Sequence, residues 1–451
     1  MNIRIAFVSL GCDKNLVDSE VMLGIIDREG YIITNNEEEA DVIIVNTCGF
    51  ILDATQEGVE NVISAGEYKK TGRCKALIVT GCMAQRYQNE IFDELPEVDA
   101  VVGTGDFEKI VYVIKEVLEG KKVRMVTDIN HMINEELFEN RRLSAPGHSA
   151  YLKIAEGCDS HCTYCVIPSL RGRYRSRKIE SLVREAANLC RNGIKELVLV
   201  AQDTALYGVD LYGEQKLHEL LQAIAQLPEK PWIRLMYAYP EHITPEIIQA
   251  IADLPNVCKY IDMPIQHSET DVLWRMGRQS TRKGLIELIN SLREKIPGIA
   301  LRTTIMTGFP GETVEDFRGL YNFVKEIKFD RLGVFPYSRE EGTKAALMPK
   351  QVKEAVKHTR RDRLMRLQQK IHQEKQQAKV GSTIDVMIDE IPEADNNEYI
   401  GRTKHDAYEV DAVVRFTALA GSLLRPGDII KVTITESDDY DLQGGQYEPA
   451  K

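Results

Sequence analysis

The stretch EGCDSHCTYCVIPSLRGRYRSRK, residues 156–178, contains the three most closely spaced cysteines of the chain. Cys158, Cys162 and Cys165 form a C-x3-C-x2-C run directly after AYLKIAEG, which has the pattern of a buried strand. Three thiolates on one tight loop can each bind one iron of a cubane cluster and leave the fourth iron open for a small molecule. A zinc site with His161 as fourth ligand is the alternative, but structural zinc sites typically use two separated cysteine pairs and no second pair follows.

The cysteine run lies near the start of a repeated alternation of strands and helices. Residues 150–350 contain six apolar runs, each separated from the next by helix-patterned sequence. Six βα units in about 200 residues indicate an open or partial (β/α)6 barrel rather than a full eightfold one. The predicted strands are AYLKIAEG, ELVLVAQD, WIRLMYAYP, YIDMPIQ, IALRTTIMTGFP and RLGVFPYS.

Two further domains are predicted on either side of this region. In residues 1–140 the strands IRIAFVSL, DVIIVNT, KALIVTG and DAVVGTG alternate with amphipathic helices, which predicts a doubly wound parallel α/β domain. Residues 379–451 contain about five short strands broken by turns, which predicts a small antiparallel β-barrel after a long polar linking helix. The predicted domains are therefore 1–140, 141–378 and 379–451, with the first boundary in the polar stretch 140–150.

Composition excludes several classes of protein. The chain has 451 residues, is 43% hydrophobic and 28% charged, and has no apolar run near the ~20 residues that a membrane-spanning helix needs. Its first residues, MNIRIAFVSLGC, have the pattern of a strand and not of a signal peptide. We therefore predict a cytoplasmic protein that needs no membrane, in which cysteines act as thiols, metal ligands or catalysts.

Three other cysteines share one kind of position. Cys12, Cys48 and Cys82 each follow a predicted strand, in FVSLGC, IVNTC and IVTGC, and Gly or Thr precedes each of them. Ligand sites in open parallel sheets gather beyond the carboxyl ends of the strands, so these thiols can converge on one point. The alternative is three buried cysteines that act as small hydrophobic residues. We favour a second iron–sulfur cluster at this edge.

The run from Cys158 to Cys165 resembles the signature of the radical S-adenosylmethionine (SAM) superfamily, in which an aromatic residue such as Tyr164 precedes the third cysteine. The resemblance implies that Cys158, Cys162 and Cys165 hold a [4Fe-4S] cluster whose open iron binds the amino and carboxylate groups of SAM. Reduction then cleaves SAM to a 5′-deoxyadenosyl radical. These three cysteines are the predicted catalytic centre.

A second stretch also resembles that superfamily. TTIMTGFPGET, residues 303–313, is similar to its glycine-rich SAM-binding strand end, where small residues let the backbone approach the cofactor. On its own the stretch would be an ordinary turn. Gln202 and Asp203 end the predicted strand ELVLVAQD and are weaker candidates. The candidate SAM contacts are Tyr164, Gln202, Asp203, Gly308, Pro310 and Gly311.

The order of the three predicted domains resembles that of the methylthiotransferases, and the resemblance covers nearly the whole chain. It implies that the C-terminal barrel is a TRAM domain and that both cysteine triads, including Cys12, Cys48 and Cys82, carry [4Fe-4S] clusters. The implied reaction inserts sulfur into an unactivated C–H bond and methylates that sulfur with a second SAM. A radical is required because no side-chain base removes such a proton.

Two substrates are known in this family, an adenosine of tRNA and an aspartate of a ribosomal protein. The stretches SLGCDKNLVDSE, MPIQHSETDVLWRMGR and FPYSREEGT resemble the protein-modifying branch, whereas the tRNA-modifying branch (MiaB type) differs after its first cysteine. Of the formal net charge of −12, residues 379–451 carry −8 (7 Lys and Arg against 15 Asp and Glu). An acidic barrel repels RNA and attracts a basic protein. The implied target is the β-carbon of one aspartate in protein twelve of the small ribosomal subunit.

The five basic residues at positions 171–178, Arg171, Arg173, Arg175, Arg177 and Lys178, allow three interpretations. They form a nucleic-acid patch, a solvated surface, or a row of arginines that faces the cluster, SAM or the substrate carboxylate.

The resemblance further implies two partners, an electron donor such as a flavodoxin or ferredoxin and a source of sulfur. A competing class is an iron–sulfur scaffold or RNA-binding regulator, which would hold clusters without cleaving SAM.

Overall fold

The computed structural model describes residues 3–131, 134–144, 147–391, 397–419 and 421–448. Ala145 and Pro146, which belong to the predicted boundary stretch 140–150, lie outside the described residues. Among the described residues, no helix combines the length and apolar character needed to cross a membrane.

The N-terminal region folds around one parallel sheet. Its described strands are β1 (Arg4–Ser9), β2 (Ile32–Thr34), β3 (Val42–Thr47), β4 (Ala76–Gly81), β5 (Ala100–Val102) and β6 (Val123–Met125), in the order β2-β1-β3-β4-β5-β6. The four predicted strands are confirmed, whereas β2 and β6 were not predicted. Both are three-residue edge strands with partly exposed side chains, so neither has the apolar run that marks a buried strand.

Helices cover both faces of this sheet, which confirms the doubly wound fold. They are α1 (Asp13–Arg28), α2 (Leu52–Thr71), α3 (Cys82–Tyr87), α4 (Asn89–Glu94), α5 (Ile110–Leu118) and α6 (Glu136–Glu139), with 3-10 turns at Glu37–Glu39 and Phe107–Lys109. Successive residues of β3 point to opposite cores: Ile44 packs with α1 and α5, and Val45 packs with α2. One of the helix-patterned stretches between the predicted strands, QRYQNEIFDEL (residues 85–95), is interrupted at Gln88, which adopts a φ of +42° between α3 and α4.

The central region contains the second parallel sheet. Its strands are β7 (Ser149–Lys153), β10 (Glu196–Val200), β11 (Trp232–Leu235), β12 (Val257–Asp262), β13 (Ala300–Thr307) and β14 (Arg331–Pro336), and two short strands, β8 (Ala155–Glu156) and β9 (Arg175–Ser176), pair separately. The order β14-β13-β12-β11-β10-β7 is that of an open sheet, as the six predicted βα units require. The β8–β9 pair closes the base of the loop that carries Cys158, Cys162 and Cys165.

Helices of the central region pack against this sheet. They are α7 (Ile167–Arg171), α8 (Ile179–Arg191), α9 (Val209–Tyr212), α10 (Leu217–Ala225), α11 (Pro245–Asp253), α12 (Thr270–Arg275), α13 (Arg282–Lys295), α14 (Val314–Ile327) and the long linking helix α15 (Glu354–Gln377), with 3-10 turns at Pro240–His242 and Ala345–Leu347. Thr313 caps α14 through a capping box with Asp316, which fixes the chain as it leaves the glycine-rich turn after β13.

The C-terminal region is a closed five-stranded barrel of β15 (Thr383–Glu390), β16 (Glu398–Arg402), β17 (Val414–Thr417), β18 (Ile429–Ser437) and β19 (Leu442–Gln446). The predicted small barrel is confirmed, with one difference in strand direction. Four of its pairs are antiparallel, but β17 and β19 close the barrel as a parallel pair.

Buried ion pairs attach this barrel to the central sheet. Glu196 at the start of β10 pairs with Arg234 of β11 at 2.8 Å and with Arg402 of β16 at 2.5 Å, and all three side chains are buried. Asp389 and Asp406 of the barrel region bind His148 and Arg331 of the central region. Part of the acidic excess of residues 379–451 therefore lies inside this junction rather than on a surface that faces a substrate.

We expect Glu196→Gln to lower the free energy of unfolding by about 3–5 kcal/mol, because it leaves the buried Arg234 without a carboxylate and leaves the buried Arg402 with Asp389 alone. Urea denaturation of the full chain measures the change. The matched control is Glu398→Gln, whose partner Arg415 lies at 3.6 Å with both side chains about 40% exposed. Loss of that surface pair is expected to cost less than about 1 kcal/mol. Equal effects of the two substitutions would contradict the assignment.

The buried ion pairs of Glu196 also predict that the stability of the chain depends on pH. Burial alone would raise the pKa of Glu196, but the Arg402 and Arg234 guanidiniums outweigh burial and lower it from 4.5 to about 2. Its stabilising effect is therefore complete above the unfolded pKa and is lost as the pH falls toward the folded pKa. Between pH 6 and pH 3 the difference in unfolding free energy between the wild-type chain and Glu196→Gln is expected to shrink by about 2 kcal/mol. A difference that stays constant over this range would refute the pairing.

Candidate functional site: two cysteine loops at facing sheet edges

Three cysteines follow adjacent strands of the N-terminal sheet, as the sequence predicted. Cys12 precedes α1 after β1, Cys48 follows β3, and Cys82 begins α3 directly after β4. These strands are neighbours in the sheet. At Gly11 a Cβ would lie 3.0 Å from the Cβ of Cys48, and at Gly81, whose φ is +92°, it would lie 2.2 Å from Asn46 Oδ1. Glycine is therefore needed for the strand ends to approach one another.

Burial and one arginine set the electrostatics of this triad. Burial raises the pKa of Cys48, and it raises the pKa of Cys82 to about 11 although the Arg171 guanidinium opposes that shift. Cys82 Sγ also lies 3.7 Å from Asn15 Oδ1. Cys12 is exposed, so the triad has one side open to solvent. Because iron must displace the proton from each thiol whose pKa is raised, binding of iron here is coupled to proton release.

The second triad lies on the loop between β8 and β9. Cys158 and Cys162 are buried and Cys165 is partly exposed. The N–H groups of Ser160 and Ile167 donate to the sulfurs of Cys158 and Cys165, each at 3.4 Å. Burial raises the pKa of all three thiols, and that of Cys165 reaches about 12.

Among the described residues no three His, Cys, Asp or Glu side chains are close enough to bind a single metal ion. A cubane cluster separates its thiolate ligands, since each binds a different iron.

The predicted SAM contacts lie on several sides of this loop. Tyr164 packs edge-on against Phe309 at 6.4 Å, and Phe309 packs against Tyr337 at 5.6 Å, so the loop and the glycine-rich turn share one aromatic cluster. Gly308 and Gly311 have φ values of +73° and +80°. A Cβ at Gly308 would lie 2.2 Å from the Lys357 side chain, so α15 also requires this glycine.

The other predicted residues differ in how open they are to a ligand. Pro310 is buried in the turn. Gln202 donates from Nε2 to Glu156 at 2.9 Å, and its Oε1 is buried without a partner. Asp203 is fully buried, with Oδ1 accepting from the Ala205 and Tyr239 N–H groups and Oδ2 bound to His242 Nδ1 at 2.6 Å. Asp203 therefore holds the turn that follows β11.

Helix α7 connects the two cysteine triads. Its first residue, Ile167, donates to Cys165, and Val166 and Leu170 pack against Cys82. Its last residue, Arg171, is buried and binds Asn15, Asp18 at 2.6 Å and Glu156 at 3.0 Å. Burial raises the pKa of Glu156, but the Arg171 and Lys153 charges outweigh it and lower the value below the usual range.

The arginines of the basic stretch are therefore mostly structural. Arg177 is buried against Glu185 at 2.6 Å, Arg175 is half-buried, and Arg173 and Lys178 are exposed. The interpretation of a solvated surface is wrong for Arg171 and Arg177. Arg171 ends α7 and Arg177 follows β9, and buried carboxylates neutralise both: Asp18 and Glu156 pair with Arg171, and Glu185 pairs with Arg177.

A second buried contact connects the two regions on the side of Cys48. Glu340 accepts from the N–H of Leu52 at 3.0 Å and pairs with Arg86 at 3.0 Å, and Arg86 also donates to the Gly49 carbonyl. Sequence reasoning did not identify Glu340, Asn15, Asp18 or Glu156. For Asn15 and Asp18 the sequence holds one signal of a role in the site, which is their position: they lie three residues apart on one face of α1, just after Cys12.

Comparisons with known proteins agree with this architecture. Residues 4–103 match the family described as uncharacterized protein family UPF0004, residues 152–324 match the radical SAM superfamily, and residues 380–446 match the TRAM domain. The radical SAM methyltransferase TsrM from Kitasatospora setae, solved with a SAM analogue, has a similar fold with a TM-score of 0.55 at 16% identity, covering 74% of this chain and 73% of that one. The fold and the cysteine loop define a radical SAM enzyme.

Relatives match almost the full length. Ribosomal protein uS12 methylthiotransferase RimO of Clostridioides difficile (strain 630) is 50% identical over 442 residues, 98% of both chains. The protein of the same name in Geobacter sulfurreducens is 48% identical, also over 98% of both chains. The chain belongs to the RimO family of ribosomal protein uS12 methylthiotransferases, and the alternative of a tRNA methylthiotransferase is not favoured.

This family uses SAM and two [4Fe-4S] clusters, and the described residues fit these groups. Each sheet edge offers three cysteine sulfurs, the ligand type that iron–sulfur clusters take. Near the second triad, Tyr164 Oη, Gln202 Oε1 and Arg278 Nη1 are buried without a hydrogen-bond partner among the described atoms. Buried polar atoms normally have partners, so these three groups suit a polar ligand that carries amino, carboxylate and hydroxyl groups.

Proposed function

We propose that this chain inserts sulfur, and then a methyl group, at the β-carbon of one aspartate in ribosomal protein uS12. The observation that carries the proposal is the pair of cysteine triads, each at the carboxyl edge of its own parallel sheet and joined by α7. Sulfur insertion needs a hydrogen-abstracting centre and a sulfur-holding centre next to each other. The membership of the chain in the uS12 family supports the choice of substrate.

The proposed ligand sets follow the two triads. Cys158, Cys162 and Cys165 would hold the cluster that binds SAM, and Cys12, Cys48 and Cys82 would hold the second cluster. When bound and reduced, these groups supply the radical that removes the hydrogen and the sulfur that replaces it. The proposed SAM contacts are Tyr164, Gln202, Gly308, Pro310 and Gly311.

The chain's own residues orient the two centres and keep water out. Val166 and Leu170 fill the space between Cys82 and the second triad, and the cluster of Tyr164, Phe309 and Tyr337 covers the other side of the loop. Arg171 and Glu340 hold the N-terminal region onto the central region at two separate points. Domain boundaries near residues 140 and 378 are part of the same proposal.

The partners of the reaction are also proposed. A cavity of about 460 Å³ beside Cys165, lined also by Arg86, Tyr87 and Glu341, supports an approach for an electron donor such as a flavodoxin or ferredoxin, or for a small sulfur source. A ribosomal substrate supports the predicted cytoplasmic location.

Mass spectrometry of uS12 and tRNA from cells lacking this gene tests the function. We expect uS12 to lose one methylthio group, which re-expression of the wild-type chain restores, while tRNA stays unchanged. Loss of a methylthio group from tRNA with uS12 unchanged would overturn the choice of substrate. Anaerobic reconstitution that yields clusters but no SAM cleavage would instead favour the scaffold or regulator class.

A further inference from the structure

Lys14 is a buried lysine at the edge of the first cysteine triad. It lies two residues after Cys12 in the first turn of α1 and is only 8% exposed. Its Nζ lies 3.4 Å from the centre of the Tyr237 ring and 2.7 Å from Asp13 Oδ1. Lysine is rarely buried this deeply unless its charge has a structural or functional partner.

Tyr237 brings this lysine to the mouth of the central sheet. The tyrosine follows β11, at the same edge as Gln202 and the second cysteine triad. Its φ of +56° is unusual for a residue other than glycine. The Tyr237 N–H donates to Asp262 at 3.2 Å, and its carbonyl accepts from the Thr204 N–H at 3.0 Å. The surrounding structure therefore keeps a strained backbone in place, and with it the ring that contacts the ammonium.

The ammonium retains capacity to bind an anion. Of its three N–H donors, one faces Asp13 and one faces the ring, which leaves a third. The N-terminus of the sixteen-residue helix α1 adds partial positive charge at the same place. Gly11 and Cys12 beside it are exposed, so the lysine lies directly beneath an open surface. Asp262, which accepts from the Tyr237 N–H, is already paired with Arg302 at 2.7 Å.

We propose that Lys14 determines specificity by binding the carboxylate of the substrate aspartate. The inference rests on the proposed function. The carboxyl carbon of aspartate is bonded to its β-carbon, so a carboxylate held by Lys14 brings the reacting carbon between the first triad and the mouth of the central sheet. A neutral side chain of the same shape, such as asparagine, gains much less from this contact, because hydrogen bonds between two charged groups are the stronger ones.

A purely structural role is the competing explanation. The contact between Lys14 and Tyr237 also joins α1 to the loop after β11, so the lysine could serve only to hold two regions together. Such a role predicts changes in stability and iron content when Lys14 is replaced. It does not predict a change in the discrimination between aspartate and asparagine.

The test compares full-length uS12 with its variant that has asparagine at the target position. Binding to the anaerobically reconstituted wild-type chain is expected to favour aspartate by about tenfold to a hundredfold. Lys14→Met should abolish this preference, whereas Lys14→Arg should retain most of it. The control is Lys283→Gln, an 86% exposed lysine on α13, which should leave the preference unchanged.

The outcomes separate this inference from the function on which it rests. A wild-type chain that modifies uS12 but binds both forms equally, or a Lys14→Met chain that keeps the preference, overturns the role of Lys14 alone. A wild-type chain that forms no product on uS12 overturns the function and the inference together. If Lys14→Met does not fold, Lys14→Gln, which has no charge but can still hydrogen-bond Asp13, must show the same loss of preference.

Discussion

Replacement of Cys165 by alanine is expected to abolish reductive cleavage of SAM, with a fall in 5′-deoxyadenosine formation of at least about a thousandfold. The reason is that a three-thiolate site cannot hold its cluster with one ligand missing. Cys165 is the most informative of the three because it is partly exposed, whereas Cys158 and Cys162 are buried and their loss would also disturb packing. The measurement is chromatography of the products after anaerobic reconstitution and reduction with dithionite.

Iron content provides the second measurement for this variant. It is expected to fall from about eight to about four atoms per chain. The control is Cys190→Ala, since Cys190 is a buried thiol of α8 that packs in the core of the central region away from both triads. This control should retain both the iron and the SAM cleavage. Full cleavage of SAM by the Cys165→Ala chain would exclude the proposed ligand set.

Replacement of Cys12 by alanine is expected to have an equally large effect on a different step. Formation of methylthiolated uS12 should fall to background, whereas cleavage of SAM should persist because the second triad is intact. Cys12 is exposed, so its sulfur contributes little packing and a loss of product is not explained by unfolding. Mass spectrometry of uS12 and chromatography of 5′-deoxyadenosine, carried out on one reaction mixture, measure both steps.

The N-terminal and central regions are in contact, so the Cys12→Ala result is informative only if the second triad is undisturbed. Cys82 packs directly on α7, so a disturbance of the first triad can reach the second. Iron analysis and the unfolding midpoint of Cys12→Ala must therefore show one remaining cluster and a folded chain. If both activities disappear while about four irons remain, the division of labour between the triads is wrong.

Much of the fold was predictable because the local pattern of apolar and polar residues indicates where strands and helices lie. The buried parallel strands are short apolar runs, and all ten predicted for the first two regions are present. The errors lie where local pattern is weak: the edge strands β2 and β6 have few apolar residues, and the break at Gln88 has no sequence signal such as proline or glycine. The parallel closure of the barrel by β17 and β19 depends on chain direction in space and not on pattern.

In the candidate site, too, features set by local sequence were predictable and features set by distant contacts were not. That Cys12, Cys48 and Cys82 follow strands is visible in the sequence, and adjacent parallel strands bring their ends together. The surroundings of these cysteines could not be predicted in this way. In the sequence Arg171 is one of five basic residues in a short stretch, but in the structure its partners include Asn15 and Asp18, more than 150 residues away. Lys14 and Tyr237 are similarly distant in sequence and meet only across the junction.

The sequence by itself determined the order of three domains, the strands of the two parallel sheets and the six cysteines at their ends, because each depends on local spacing and on the edge at which parallel strands finish. Only the tertiary structure decided which charged side chains turn inward at the junctions, including Arg171, Glu340 and Glu196. The physical reason is that burying a charge is costly unless an opposite charge meets it, and that partner comes from a distant segment whose position is set by the packing of whole domains.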